Sequence, residues 1–463
     1  MNELNQLLRK LPKIDRLMAD PVVAAAVEVI GRDKVVEICR GQVAAAKGAA
    51  KKNGVLPAID AILDGVRSDI VIARSRMIHR VINGTGVMIH TNLGRSPLGG
   101  ALFDTLRDLL LGYCNLEINV LERRRGGRGD GVLCLLAQLC KAEDALVVNN
   151  NAAALFLLLS AMASGREVIV SRGELVQIGG GFRIPDILRN ANARLVEVGT
   201  TNITTVDDYR AALNDETALV LKVHQANFSM EGFVSSPSVA ELKSANLAVP
   251  IVADLGSGNV ARQVGSIPLM EPTPSDMIRD GADLVCFSTD KMLGAGQGGV
   301  VAGRSELILP LKKHPIMRVV RVDKITYGIL QTMLSHHLQG EKEMIPLWRM
   351  ASLSEETLRR RIETFIVEHH LNTAYFYPVP CASTFGGGST PNEVIPSCGL
   401  AMSSEHPEAI ASFFQTAQPP VVGKVKGNEF IVDFRTIFDV DLKDLAAGCR
   451  HLQNKGLLTE LAH

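Results

Sequence analysis

Lys291 stands three residues beyond Ser288, which closes the apolar run Leu-Val-Cys-Phe-Ser, and Asp254 closes another, Pro-Ile-Val-Ala-Asp. The 37 positions from Asp254 to Lys291 fit a strand–helix–strand crossover, which brings both residues to one carboxyl edge of a parallel sheet. His224 and Asn227 follow the preceding run, 30 and 27 positions ahead of Asp254. Asn149-Asn150-Asn151-Ala152 closes an earlier run and opens an Ala-rich helix, whose N-terminus suits a phosphate. An anion site, a buried carboxylate and a lysine on one edge describe a pocket for pyridoxal 5'-phosphate. Lys291 would form the Schiff base, and Asp254 would pair with the ring nitrogen and keep it protonated, making the ring an electron sink. A carboxylate about 4 Å from that nitrogen contributes roughly 4 kcal/mol at an effective dielectric near 20. That is about three pKa units, enough to hold the proton at neutral pH. Ser288, with Asn150, Asn151 and Ala152 at the helix start, would hold the phosphate, and Asn227 or His224 could bond the ring hydroxyl. Each piece also has a plainer use: Asn before an Ala-rich helix is a good N-cap with no ligand, and Asp at a strand end commonly caps a helix.

Three arginines form a second set. Arg318 and Arg321 are three apart, the spacing of one helix face, and Arg95 lies in the Gly- and Asn-containing loop His-Thr-Asn-Leu-Gly-Arg. The guanidinium fork suits phosphate-like anions, although the same spacing also builds a salt-bridged surface face. Gly294-Ala-Gly296-Gln-Gly-Gly299 matches a dinucleotide fingerprint, but a strand-like Gly-Val-Val-Ala-Gly follows it instead of a helix, and this excludes that reading.

These residues need a scaffold. Seven short apolar runs, Ala145–Asn149, Glu167–Ser171, Arg194–Val198, Ala218–His224, Pro250–Asp254, Asp283–Ser288 and Gly299–Ala302, alternate with helical patterns. That alternation predicts an α/β fold with a mainly parallel sheet covered on both faces. Residues 1–65 carry helical spacing broken at Gly31, Gly41 and Gly54, which predicts a small helical domain. A basic linker over 66–81, a large domain over 82–330 and a small α+β C-terminal domain over 331–463 complete the expected organisation.

Lys+Arg and Asp+Glu are equal at 49 each, so the chain is no polycation and DNA is not an expected partner. Residues 1–80, however, hold 14 Lys/Arg against 9 Asp/Glu, a net of +5. Eight cysteines show no C-x-x-C spacing and lie mostly in apolar runs such as Val-Leu-Cys-Leu-Leu, which predicts buried thiols rather than disulfides or a metal site. The N-terminus has charges throughout and no signal-like apolar run, and no apolar stretch is long enough for a membrane span. A cytoplasmic protein is expected.

The motifs Leu-Pro-Lys-Ile-Asp-Arg-Leu, His-Thr-Asn-Leu-Gly-Arg, Val-Asn-Asn-Asn-Ala-Ala-Ala, Ser-Arg-Gly-Glu-Leu-Val-Gln-Ile-Gly-Gly, Val-Gly-Thr-Thr-Asn, Ala-Asp-Leu-Gly-Ser-Gly and Ser-Thr-Asp-Lys together resemble those of bacterial selenocysteine synthase, L-seryl-tRNA(Sec) selenium transferase. The resemblance implies the aspartate-aminotransferase-like fold (fold type I) of pyridoxal-phosphate enzymes, with the cofactor lysine at Lys291 and the ring-nitrogen aspartate at Asp254. It implies that Arg95, Arg318 and Arg321 hold selenophosphate, that the N-terminal helices recognise the selenocysteine tRNA, and that the chain forms a ring-shaped homodecamer built from dimers. The implied reaction removes the β-hydroxyl of a seryl group esterified on tRNA, with Lys291 as base, to an aminoacrylyl intermediate that takes up selenium. Asp290, beside the lysine, is a candidate to orient these groups. Two positions depart from the family pattern: Gly296 replaces a proline, which predicts a looser loop, and Ile203 replaces an arginine after Val-Gly-Thr-Thr-Asn. A lyase acting on a small phosphorylated amino sugar or amino acid, or a tRNA-binding protein without catalysis, are the alternatives. The first has no need of residues 1–65, and the second has no need of both Lys291 and Asp254.

Overall fold

The computed structural model describes residues 7–178, 181–225, 228, 230–265, 267–389 and 393–459. The chain divides into two compact units, residues 1–82 with 412–421, and residues 83–411 with 422–463.

In the first unit, helices Ile14–Met18, Pro21–Ile30, Arg32–Asn53 and Ile59–Ser75 close around Leu17, Val23, Val35, Ile38, Ile62, Val66 and Ile70. Asp20 caps the second helix through Val22 and Val23 N–H at 3.1 and 3.2 Å, with Pro21 at the first helical position. The same carboxylate accepts from Arg67 at 2.6 Å, tying that helix to Ile59–Ser75, and this bond holds Asp20 below the ordinary carboxylate range. Gly31 and Gly54 do break the helices, at φ of 81° and 69°. Gly41 does not; it lies inside Arg32–Asn53 on an open face, where the helical penalty of about 1 kcal/mol is carried by the surrounding turns. Helix Ile59–Ser75 spans residue 66, where the basic linker was expected to begin.

The second unit is built on a seven-stranded sheet: β1 (Asp144–Val148), β2 (Glu167–Ser171), β3 (Arg194–Val198), β4 (Thr217–Val223), β5 (Ile251–Gly256), β6 (Leu284–Ser288) and β7 (Gly299–Gly303). The spatial order is β1-β7-β6-β5-β4-β2-β3. All pairings are parallel except those of β7, which runs antiparallel to both β6 and β1. The reason is chain length: residues 289–298 leave no room for a crossover helix between Ser288 and Gly299, which are register partners. Alternate strand residues enter two separate cores. Val147, Val220, Ala253, Val285 and Val300 pack on one face, while Leu146, Leu219, Val252, Leu284 and Val301 pack on the other. Burial on both faces is why these strands read as continuous apolar runs.

A four-stranded antiparallel sheet follows: β8 (Phe376–Thr384), β9 (Val394–Ser403), β10 (Lys424–Lys426) and β11 (Glu429–Asp433), in the order β8-β9-β11-β10. All eight cysteines are free, and Cys39, Cys140, Cys286, Cys398 and Cys449 are buried. Cys134, expected inside, is exposed, because Val132, Leu136 and Cys140 take the inner face of helix Asp130–Cys140. Among the described residues no helix is long and apolar enough to cross a membrane.

Candidate active site

Asp254, His224, Asn149–Ala152 and Ser288 gather at the carboxyl ends of β5, β4, β1 and β6, with Lys291 in the loop after β6. Lys291 is half-buried, and its Nζ donates to the carbonyl of Gly388 at 2.9 Å, in the loop after β8. Gly388 has φ of 80°, and a Cβ there would come within 2.9 Å of Nζ, so only glycine lets the backbone approach this closely. Burial lowers the Lys291 pKa first, then the charge of Arg95; Asp254, Asp290 and Glu271 pull the other way. The net effect is to make the ammonium form of Lys291 easier to deprotonate than that of a surface lysine.

Asp254 is buried, and its Oδ1 accepts from Asn151 Nδ2 at 2.8 Å. Burial raises its pKa, countered by Asn151, by the charge of Lys291, by Cys286 and by the Gly256 backbone. A cationic ring nitrogen opposite this carboxylate would add the opposite charge that keeps it ionised. Asn150 plays the plainer part weighed above: it caps helix Asn151–Met162, with its Oδ1 accepting from Ala153 N–H at 2.8 Å. Asn151 serves the aspartate rather than an anion. What remains for a phosphate is the first-turn N–H groups of this helix, Ala152 among them, which have no partners inside the helix, and Ser288, at the end of β6.

On the other side of the lysine, Arg95 Nη1 meets Asp290 Oδ2 at 2.7 Å. Arg95 itself has φ of 65°, held in a tight loop by its N–H to the His90 carbonyl at 3.0 Å. Both line a cavity of about 460 Å³ with Ser96, Gly296 and Gln297. Asp290 Oδ1, Ser96 Oγ and His90 Nδ1 are buried without hydrogen-bond partners among the described residues. The lysine loop is well tied: Thr289 Oγ1 donates to Gly296 O at 2.5 Å, Thr289 N–H to Gly298 O at 2.9 Å, and His337 Nε2 bonds Leu293 O at 2.8 Å. The loop expected to be loose at Gly296 is therefore pinned on both sides of that residue.

Arg318 and Arg321 do not share a helix face, since helix Pro315–Val320 ends before Arg321, which is extended at φ −69°, ψ 145°. Both line a cavity of about 500 Å³ with Arg125, Arg128, Lys312 and Glu117, which has no lining residue in common with the Arg95 cavity. The two sets still share a sheet edge, because Asn149 N–H donates to Val320 O at 2.9 Å. Ile203 is partly exposed and pairs as a bridge with Ser235, beside Asn202 at the rim of the Asp254 cavity. Asn227 lies outside the described residues.

Several site residues are singled out only by the folded chain, Glu174 among them although it lies in the Ser-Arg-Gly-Glu motif. Glu174 and Lys222 form a buried ion pair, with Val223 N–H donating to Glu174 Oε2 at 2.8 Å, and they line a cavity of about 280 Å³ with His224 and Asp254. Glu271 lies against His224, and Gly388, which no sequence motif marks, lies against Lys291.

A half-buried amine with a lowered pKa, a fixed carboxylate across the same sheet edge and an open helix N-terminus fit a pyridoxal phosphate. With the β3-β2-β4-β5-β6-β7-β1 sheet, they define an enzyme of the aspartate-aminotransferase-like, fold type I class. The solved D-glucosaminate-6-phosphate ammonia-lyase shares this fold, with a TM-score of 0.59 over 83% of this chain and 98% of that one, at 17% identity. A family profile described as L-seryl-tRNA selenium transferase matches residues 81–438, and one described as selenocysteine synthase N terminal matches residues 8–46. The L-seryl-tRNA(Sec) selenium transferase of Geotalea daltonii is 38% identical, covering 95% of this chain and 98% of its own. That of Aquifex aeolicus is 37% identical, covering 96% and 98%. This chain belongs to the L-seryl-tRNA selenium transferase family.

Proposed function

We propose that this protein converts seryl-tRNA(Sec) to selenocysteinyl-tRNA(Sec), with pyridoxal 5'-phosphate as cofactor and selenophosphate as selenium donor. The observation that carries this reading is the Lys291–Asp254 edge, in a chain whose similarity to named selenium transferases runs through the N-terminal helices as well. When bound, the cofactor supplies an electron sink conjugated to the substrate's α-carbon. Lys291 would hold the cofactor through Nζ and Asp254 would pair with its ring nitrogen, while Asn151 keeps that carboxylate oriented. Ser288 and the N–H groups at Ala152 would hold the phosphate, and His224 would bond the ring hydroxyl.

Once the seryl amine takes its place, Lys291 is the base for the α-proton, since burial and Arg95 already disfavour its charged form. Asp290 fixes Arg95 beside the lysine, where the guanidinium can grip the anionic selenium donor. Arg318 and Arg321 form a second anion-binding pair on the same sheet edge. Residues 1–65 form the tRNA-binding module, the assembly is a homodecamer built from dimers, and the enzyme works in the cytoplasm.

The alternative of a lyase acting on a small phosphorylated amino sugar or amino acid draws only on the fold shared with a distant neighbour. Single-turnover conversion of seryl-tRNA(Sec), with and without selenophosphate and with Lys291→Ala as control, separates the two. Selenium captured on the aminoacyl group only when the donor is present supports the proposal. An intact seryl group with the cofactor bound overturns it.

A further inference from the structure

Glu271 is 7% exposed and belongs to none of the motifs that identify the site. Among the described residues its buried Oε1 has no hydrogen-bond partner. Nor, among them, has the buried His224 Nδ1, and the two atoms lie 3.3 Å apart. At that separation a proton held on one of the two atoms relieves both. A bare carboxylate against an unprotonated ring nitrogen would set lone pair against lone pair. The Nδ1 side of the ring is closed, yet the His224 side chain is still 31% accessible and lines the cavity shared with Asp254. Its Nε2 makes no hydrogen bond among the described residues, which leaves that edge to a ligand.

We propose that Glu271 is a positioning residue that keeps a proton on the Glu271–His224 pair, so that His224 presents Nε2–H as a donor to the ring hydroxyl oxygen of the cofactor. The inference rests on the cofactor reading above. The proton count makes it robust to where the shared proton sits. With two protons on the pair, either the carboxyl donates to Nδ1 or the ring is cationic against a carboxylate, and Nε2 carries hydrogen in both. With one proton, the carboxylate draws it to Nδ1 and leaves Nε2 an acceptor, which repels a ring oxyanion.

The surroundings favour two. Burial pushes Glu271 up to about 8, opposed by the Ser257 hydroxyl and the charge of Lys291 and reinforced by Glu393. Burial and Lys222 lower His224, whose backbone N–H is held by the Asp254 carbonyl at 2.9 Å. The pair thus keeps both protons at neutral pH and loses one as pH rises through about 8.

Infrared difference spectra of the cofactor-free protein, between neutral pH and a pH well above 8, read the carboxyl directly. The carbonyl stretch of a protonated carboxyl should vanish across this step in the wild type and be missing in Glu271→Gln. In the loaded protein, the cofactor absorption band should shift with the same midpoint in the wild type. It should stay flat in Glu271→Gln, whose amide donates to Nδ1 at every pH, and in His224→Asn. An ionised Glu271 at neutral pH, or an unchanged midpoint in either variant, overturns the inference. Absence of any cofactor band in the wild type would instead overturn the cofactor reading, with the infrared result still standing on its own.

Discussion

Lys291 is set apart from the chain's other lysines by surroundings and not by type. Burial and the nearby Arg95 guanidinium both disfavour its ammonium form. A lysine with a lowered pKa exposes its free amine at lower pH than a surface lysine does. Attachment of pyridoxal phosphate to cofactor-free protein should therefore proceed with a midpoint below the ordinary lysine range, and Arg95→Ala should move that midpoint upward, as followed by absorption. Asp254→Asn keeps the volume and the Asn151 contact but removes the charge opposite the ring nitrogen. Loss of about three pKa units of support predicts a fall in kcat on the order of 100-fold or more with the cofactor still bound. Lys291 and Asp254 were legible in the sequence because each sits at a fixed offset from a strand that announces itself. Glu271 was not, because its partner is His224, 47 positions away, and only the folded chain brings a buried carboxyl against that ring. Asn151 was found for the wrong contact: the Asn run marked the site, but its side chain turned to the carboxylate.

At the scale of elements, the seven strands were readable almost to the residue; burial on both faces leaves apolar runs with sharp ends in all but the edge strand β3, where Arg194 and Glu197 are exposed. The antiparallel course of β7 follows from the ten residues that separate it from β6, a length too short for a helix. Helix Arg32–Asn53 was harder, because Gly41 looks like a stop and only its tertiary setting shows otherwise. The lysine loop depends on a segment nearly a hundred residues downstream, and spacing gives no hint of that. Gly388→Val tests the dependence. The branched side chain would enter space held by Lys291 Nζ, at a φ that valine rarely adopts. Cofactor affinity should fall at least tenfold while far-ultraviolet circular dichroism stays unchanged. Gly296→Ala is the contrast: its Cβ meets only the flexible Ile329 terminus, at 3.3 Å, so affinity should stay within twofold.

For the whole molecule, charge is balanced overall but not by region, and the excess of +5 over residues 1–80 has a visible location. Arg40, Lys47 and Lys51 are exposed on helix Arg32–Asn53 at spacings of seven and four, which put them on one face. Reversing all three to Glu should weaken binding of the selenocysteine tRNA, and wild-type affinity should fall with salt more steeply than the variant's. Filter binding across a salt series reads both, while absorption of the bound cofactor should not change. The sequence carried the bias but not the face, which needed the helix to run unbroken through Gly41.

The central claim is that Lys291, facing Asp254 across one sheet edge, acts on the α-hydrogen of a seryl group carried by tRNA. Exchange of that hydrogen in deuterated water tests it most directly, with seryl-tRNA(Sec) and cofactor-loaded protein in the absence of any selenium donor. The account predicts deuterium entry or loss of the β-hydroxyl in the wild type, and neither in Lys291→Ala supplied with cofactor. Equal exchange by the wild type and Lys291→Ala, or no exchange by the wild type on any charged tRNA, would contradict it.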